Sequence, residues 1–287
     1  MTLIDLINHQ TTRLEEAKVS FGHGTLSAFD EAVWLALWAM KLPIDDLDAV
    51  ADAPVFATDQ AAVEAIITQR IATRKPAAYL TNEAWLQGVP FYVDERVIVP
   101  RSLIAEVIAD GSIDEWLSEQ TSLVLDLCTG NGSLAVLAAM AYPDVSVVAS
   151  DLSEAALAVA RINIDKHDLA DRITLVQSDG LESIDGTFDL ILCNPPYVNA
   201  VSMSKLPAEY LAEPNMALAS GLDGMDFCRA LLSQAAAHLA PDGVLVLEIG
   251  NEQENFCAAF PHLPVFWLTT SSGDNQVLLI TAEMLRI

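Results

Sequence analysis

The sequence predicts an α/β protein, a mostly parallel, Rossmann-like seven-stranded sheet preceded by a small helical unit and a hairpin linker. Three observations carry this. After Glu106, apolar strand-like runs alternate with single helical patterns, which calls for a parallel sheet covered by helices on both faces. A glycine-bearing turn, "CTGNGS", follows the first of those runs. The segment before residue 78 carries helical periodicity only.

Taken in order, residues 1–77 form the helical unit. "DEAVWLALWAMKL" sets Val33, Trp34, Leu37 and Trp38 at helical spacing, with Asp30 as the expected cap. "TDQAAVEAIITQRIATR" repeats the pattern with Val63, Ile66, Ile67 and Ile71 on one side, so these stripes read as a small helical core. Residues 78–104 alternate, contain Gly88-Val89-Pro90 and reach Pro100, as one or two hairpins would. Residues 105–287 form the catalytic unit, with strands expected at 122–127, 145–150, 173–178, 188–193 and 243–249. Helices are expected near 132–141, 154–168 and 225–239, and "VFWLTT" and "NQVLLITA" close the sheet as an antiparallel pair.

Charge narrows the function. Forty acidic residues against 14 basic ones give a formal charge of −26. Nucleic-acid binders neutralise phosphates with Lys and Arg, and no basic run exists here, so duplex DNA is not an expected partner. Cys128, Cys193, Cys228 and Cys257 show no CxxC spacing, which argues against a zinc site or a disulfide framework. "MTLIDLINHQ" is acidic where a secretion signal is basic. The most apolar stretch, "AVWLALWAM", is far short of the roughly 20 residues of a membrane span. A cytoplasmic protein without a membrane partner is the expectation.

The motifs point to a nucleotide-type ligand. Gly130 and Gly132 allow a tight turn between a strand and a helix N-terminus. Asp151 ends the next strand about 20 residues on, where an acid accepts ribose hydroxyls. Asp179 ends the third strand, in reach of an adenine amino group. "GNGSLA" also fits a dinucleotide fingerprint, but Asp126, inside the first strand, would repel a pyrophosphate and welcome an ammonium. S-Adenosyl-L-methionine fits better.

"LCNPPYVN" supplies the chemistry. Pro195 and Pro196 lack the N–H a strand ladder needs and end the fourth strand stiffly, between Asn194 and Tyr197. The Asn194 side-chain oxygen and the Pro195 carbonyl suit the two hydrogens of a planar NH2 group, and Tyr197 suits packing on its face. An amide and an adenine both present such a group.

"DLCTGNG", "SDLS", "QSD" and "NPPYV", in that order, resemble the class I S-adenosylmethionine-dependent methyltransferases of amino nitrogens. "RKPAAYLT", "VIVPRS", "EPNMALASGLDG" and "LEIG" extend the resemblance over nearly the whole chain to the protein N5-glutamine methyltransferases. These act on release factors and on large-subunit ribosomal protein three. "FGHGT", Asn82 in "AYLTNEAW" and "SMSKLPAEYLAEP" resemble the ribosomal branch. The resemblance implies a basic ribosomal protein as substrate, with a release factor as the alternative and adenine-N6 methylation as a more distant one. It implies a substrate-recognition role for residues 1–77. It implies cofactor contacts at Cys128, Thr129, Gly130, Asn131, Gly132, Asp151, Gly180 and Asn194, and a glutamine pocket at Asn194, Pro195, Pro196 and Tyr197. Ile98, Arg101 and Glu248 would border that pocket. Cys128 stands where many relatives carry glycine, and Gly180 where a bulky residue often covers the adenine.

Overall fold

The computed structural model describes residues 1–44 and 46–286. Its first helix, α1 (Leu3–Glu16), starts at a reciprocal capping box between Thr2 and Asp5. The cap of α2 (Ala28–Met40) is Ser27, whose hydroxyl accepts the Asp30 N–H; Asp30 therefore lies inside the first turn and is not the cap. The apolar stripe is rotated accordingly. Leu35, Ala36 and Leu37 are fully buried, whereas Val33 is half-buried and Trp38 exposed. Short α3 (Leu47–Val50) and long α4 (Ala57–Thr73) follow, and α4 buries Val63, Ile66 and Ile67 against α1 and α2.

The linker holds one hairpin, β1 (Glu83–Leu86) with β2 (Val89–Tyr92), preceded by a helical turn, α5 (Ala77–Thr81), where alternation suggested strand. Asn82 ends that turn in the left-handed region (φ 52), and its side-chain amide donates to the Val93 carbonyl at 3.1 Å. Gln87 and Gly88, both at positive φ, make the tight two-residue connection.

The larger unit contains α6 (Ile104–Ala109), β3 (Leu123–Leu127), α7 (Ser133–Ala141), β4 (Ser146–Asp151), α8 (Glu154–Lys166), β5 (Ile173–Gln177) and β6 (Phe188–Cys193). It continues through α9 (Ala200–Met203), α10 (Asp226–His238), β7 (Leu239–Glu248), α11 (Gln253–Ala259), β8 (Phe266–Thr270) and β9 (Gly273–Thr281). The sheet order is β5-β4-β3-β6-β7-β9-β8, with β3 to β7 parallel and β9 antiparallel to both neighbours. β7 starts four residues before the expected strand. "APDG" reads as a turn, but here it continues the strand through an irregularity in register opposite Phe188 and Leu190.

Alternation along the strands fills two cores. Val124, Leu190 and Val246 face one side with α6 and α7, while Leu125, Ile191 and Leu245 face the other with α10. A third core lies among α1, α2, α4 and α5, and reaches Ala156 and Val159 of α8. Among the described residues no helix is long and apolar enough to cross a membrane.

Candidate active site

The chain builds β3, β4 and β5 outward in one direction, then returns to place β6 on the other side of β3. Ligands of open α/β sheets bind at such a reversal, beyond the carboxyl ends of the strands. The Leu127–Cys193 pairing brings the loop after β3 alongside Asn194 to Tyr197. Two cavities open there, of about 770 Å³ and about 870 Å³ with the open space at their mouths included. Asn194 and Ile98 line both.

The first cavity carries the side chains a nucleoside needs. Cys128, Gly130, Asp151, Asp179 and Gly180 line it, with Leu152 and Phe227 as apolar walls. Asp151 Oδ2 accepts the Gly130 N–H and Oδ1 the Ser153 N–H, each at 2.9 Å. Burial raises the Asp151 pKa against those bonds, and each oxygen keeps a lone pair for a ribose hydroxyl. Cys128 adopts φ 61, a left-handed conformation that glycine would hold more easily. At Gly180 (φ 53) an added Cβ would meet nothing within 4 Å, so this side of the cleft is open. These residues fit S-adenosylmethionine.

The second cavity is lined by Pro195, Tyr197 and Arg101. Tyr197 is wedged in place. A Cβ on Gly250 would fall 2.5 Å from its ring, and one on Gly224 would fall 2.2 Å from its carbonyl oxygen. Its hydroxyl donates to Glu248 Oε1 at 3.2 Å, while Glu248 Oε2 accepts from the Ser102 hydroxyl (2.6 Å) and the Leu103 N–H (2.9 Å). Burial first, and the Glu248 carboxylate second, push the tyrosine pKa well up, so the phenol stays protonated.

Several expected contacts lie behind this surface. Glu248 is 3 % exposed and lines neither cavity; it holds Tyr197 from behind. Asp126 is fully buried and does not reach the cleft. Strand alternation turns it toward α7, where Oδ2 accepts the Thr129 hydroxyl (2.5 Å) and the Ala135 N–H (3.0 Å). Thr129, Asn131 and Gly132 likewise brace the loop without lining the cleft. Asn131 passes its carbonyl to Asn163 Nδ2 at 2.8 Å, and Gly132 lets α7 approach Ala160, whose Cβ would be 3.1 Å from an added Cβ.

Burial raises the Asp126 pKa from 3.8 to about 7, opposed by the Thr129 and Ala135 hydrogen bonds. A raised folded-state pKa means stability that is fully present below the unfolded value and lost as pH rises through the folded one. Thermal unfolding of the cofactor-free Asp126→Asn variant should therefore gain on the unaltered protein as pH climbs from about 4 to about 7. A pH-independent difference between the two would mean that the buried carboxylate is charged throughout.

Spacing gives no signal for Glu209 and Tyr210, which come close to the acceptor side only through the tertiary fold. Glu213, with Pro214, does stand out in the sequence, as a residue that could position the segment after NPPY or simply cap a loop. Glu213 is buried and holds Arg101 by two bonds, 2.6 and 2.8 Å, and the Val99 N–H at 2.9 Å. Burial works to raise its pKa, but His23 and Arg101 together pull it down to about 2.

A parallel sheet reversed between β3 and β6, with a nucleoside cleft meeting an NPPY-lined cavity, defines a class I S-adenosylmethionine-dependent methyltransferase. Residues 113–221 match the family model described as "Methyltransferase small domain". The catalytic domain of hMettl16, solved with an RNA hairpin, shares the fold alone (TM-score 0.53, 13% identity, 75% of this chain and 80% of that one). Curated relatives are far nearer. The ribosomal protein uL3 glutamine methyltransferase of Burkholderia pseudomallei is 51% identical, over 99% of this chain and 95% of the relative. Those of Bordetella pertussis and Neisseria gonorrhoeae are 49% and 48% identical, over 99% of this chain and 96% and 95% of theirs. The chain belongs to the ribosomal protein uL3 glutamine methyltransferase family.

Proposed function

We propose that this chain transfers a methyl group from S-adenosylmethionine to the side-chain nitrogen of a glutamine in ribosomal protein uL3. One observation carries the reading: Asn194, with its amide free to accept, stands in the wall shared by the two cavities. The cofactor would supply an electrophilic methyl, the new N–C bond forming as the S–C bond of the sulfonium breaks to leave a neutral thioether. The nitrogen, made acidic by the transfer, then loses one of its two protons to water. Asn194 Oδ1 and the Pro195 carbonyl accept the two amide hydrogens, which draws electron density onto the nitrogen and fixes its direction. Tyr197, protonated and wedged by Gly224 and Gly250, packs on the amide plane. Most of the rate then comes from orientation, for which near-attack positioning is worth roughly 7–11 kcal/mol.

Two features favour a protein acceptor over a nucleic acid. The cationic side chains at the cavities are already engaged, Arg96 with Asp94 and Arg101 with Glu213. The charge of −26 repels phosphates and steers a basic ribosomal protein inward. Residues 1–77, beside the second cavity through His23, are the proposed recognition unit and residues 105–287 the catalytic one.

The test is methyl transfer from labelled S-adenosylmethionine to purified uL3, a release factor and duplex DNA, side by side. Label on a glutamine of uL3 is the expected result. Label on the release factor alone would keep the chemistry and overturn the partner, and label on DNA would overturn both.

A further inference from the structure

Two stretches remain outside the chemistry described so far, "FGHGT" (21–25) and "LPAEY" (206–210). They lie far apart in the chain and meet beside the acceptor cavity, which Leu206 and Tyr210 of the second stretch line. The His23 and Tyr210 rings pack with centroids 4.3 Å apart at 56°. Gly22, at φ +115, leaves room for the tyrosine, since a Cβ there would be 3.3 Å from the Tyr210 hydroxyl. The Arg101 guanidinium carbon lies 5.5 Å from the ring centroid, within cation–π range. Both flanking carboxylates are buried and clasped. Glu213 takes Arg101 and the Val99 N–H and lies 3.6 Å from His23 Nε2, an ion-pair distance, while Glu209 accepts the Ser20 N–H at 3.1 Å and meets Arg70 and Arg74.

We propose that Tyr210 is a specificity-determining residue, a second aromatic ring that, with Tyr197, receives the polypeptide around the target glutamine. Gly22, His23 and Arg101 are its positioning residues. The inference rests on the uL3 reading and deepens it. Tyr210 is only partly buried, lies in a short 3-10 segment (Ala208–Ala212), and faces the same cavity as Tyr197. Of the two buried carboxylates, Glu213 holds Arg101 and lies beside His23, the two groups that touch the Tyr210 ring, while Glu209 ties the neighbouring backbone to Ser20, Arg70 and Arg74. Half-buried tyrosines of this kind dominate many protein interfaces because they bring large rigid area at small entropic cost.

Full-length Tyr210→Ala should raise KM for intact uL3 about tenfold or more, as a hot-spot aromatic does on truncation. Its kcat at saturating uL3 and its S-adenosylmethionine affinity should change far less. Tyr210→Phe, which keeps the ring, should recover most of the lost affinity. Gly22→Ala, which crowds the hydroxyl, should shift KM in the same direction as Tyr210→Ala. If the unaltered enzyme leaves uL3 unlabelled, the uL3 reading fails and this inference falls with it. If uL3 is labelled and Tyr210→Ala keeps its KM within about twofold, only the inference fails. A joint loss of kcat, cofactor affinity and melting temperature, not recovered by Phe, would assign the ring to structure and overturn it.

Discussion

Asn194→Ala should lower kcat for methyl transfer to uL3 by about 10²- to 10³-fold, the loss typical of removing one preorganised polar group from a transition state. A single neutral hydrogen bond is worth only about 1 kcal/mol net, too little by itself for such a loss. The rest comes from misplacement, because a shift of about 1 Å in the attacking atom can cost 10²-fold. Asn194 is the polar side chain common to both cavities, so no neighbour substitutes for it. Folding should be spared. Asn194 is partly exposed, and its strand, Phe188–Cys193, is fixed by ladders to Leu123–Leu127 and Leu239–Glu248. Single-turnover transfer with saturating cofactor isolates the chemical step, and a melting temperature close to that of the unaltered protein completes the result. Turnover within about threefold of normal would place the amide-orienting acceptor elsewhere.

Features set by local physics were legible in the sequence. Single prolines such as Pro90 and Pro241 sit inside strands. Two in succession leave no N–H to carry a ladder on, so the stiff NPPY turn was legible, as were the strands with their apolar alternation and the glycine turn after the first of them. Pairwise geometry was not. Nothing in the order of strands says that Phe188–Cys193 returns beside Leu123–Leu127, yet that adjacency creates the site. Asp126 and Glu248 carry the charge expected of ligand contacts, but each faces the packed side of its strand and supports a neighbour instead. Asp30 lies about one helical turn past the true cap, Ser27: a serine and an aspartate three residues apart are both plausible caps, and only geometry decides between them. His23 packs between Tyr210 and Glu213, a placement that only the tertiary fold creates.

The largest stability effect should come from Arg70, far from the methyl group. Its side chain is 1 % exposed and joins three segments: Nε meets Glu31 Oε1 at 2.8 Å, Nη1 meets Glu209 Oε1 at 3.4 Å, and Nη2 donates to the Ser20 carbonyl at 2.9 Å. Glu31 and Glu209 are themselves 1 % and 2 % exposed. Arg70→Ala should cost about 3–5 kcal/mol, the usual penalty for stranding a buried charge. At about 2–4 °C per kcal/mol, that lowers the melting temperature by roughly 10 °C. The two carboxylates do not suffer equally. Glu209 keeps Arg74 and the Ser20 N–H, whereas among the described residues Glu31 keeps one hydrogen bond, from the Thr25 hydroxyl at 3.1 Å, and the weaker pull of His23. Burial already raises the Glu31 pKa against the pull of Arg70, and removing the guanidinium raises it further. A raised folded-state pKa gives stability at low pH that is lost as pH rises, so the Arg70→Ala deficit should be smaller at pH 5 than at pH 8. Glu31→Gln added to Arg70→Ala should restore part of the loss at pH 8 and little at pH 5, because the amide mimics the protonated acid. Thermal unfolding of the three proteins at both pH values decides it. A deficit equal at both, unmoved by Glu31→Gln, would mean that the lost packing of the arginine stem, and not a stranded charge, destabilises the variant.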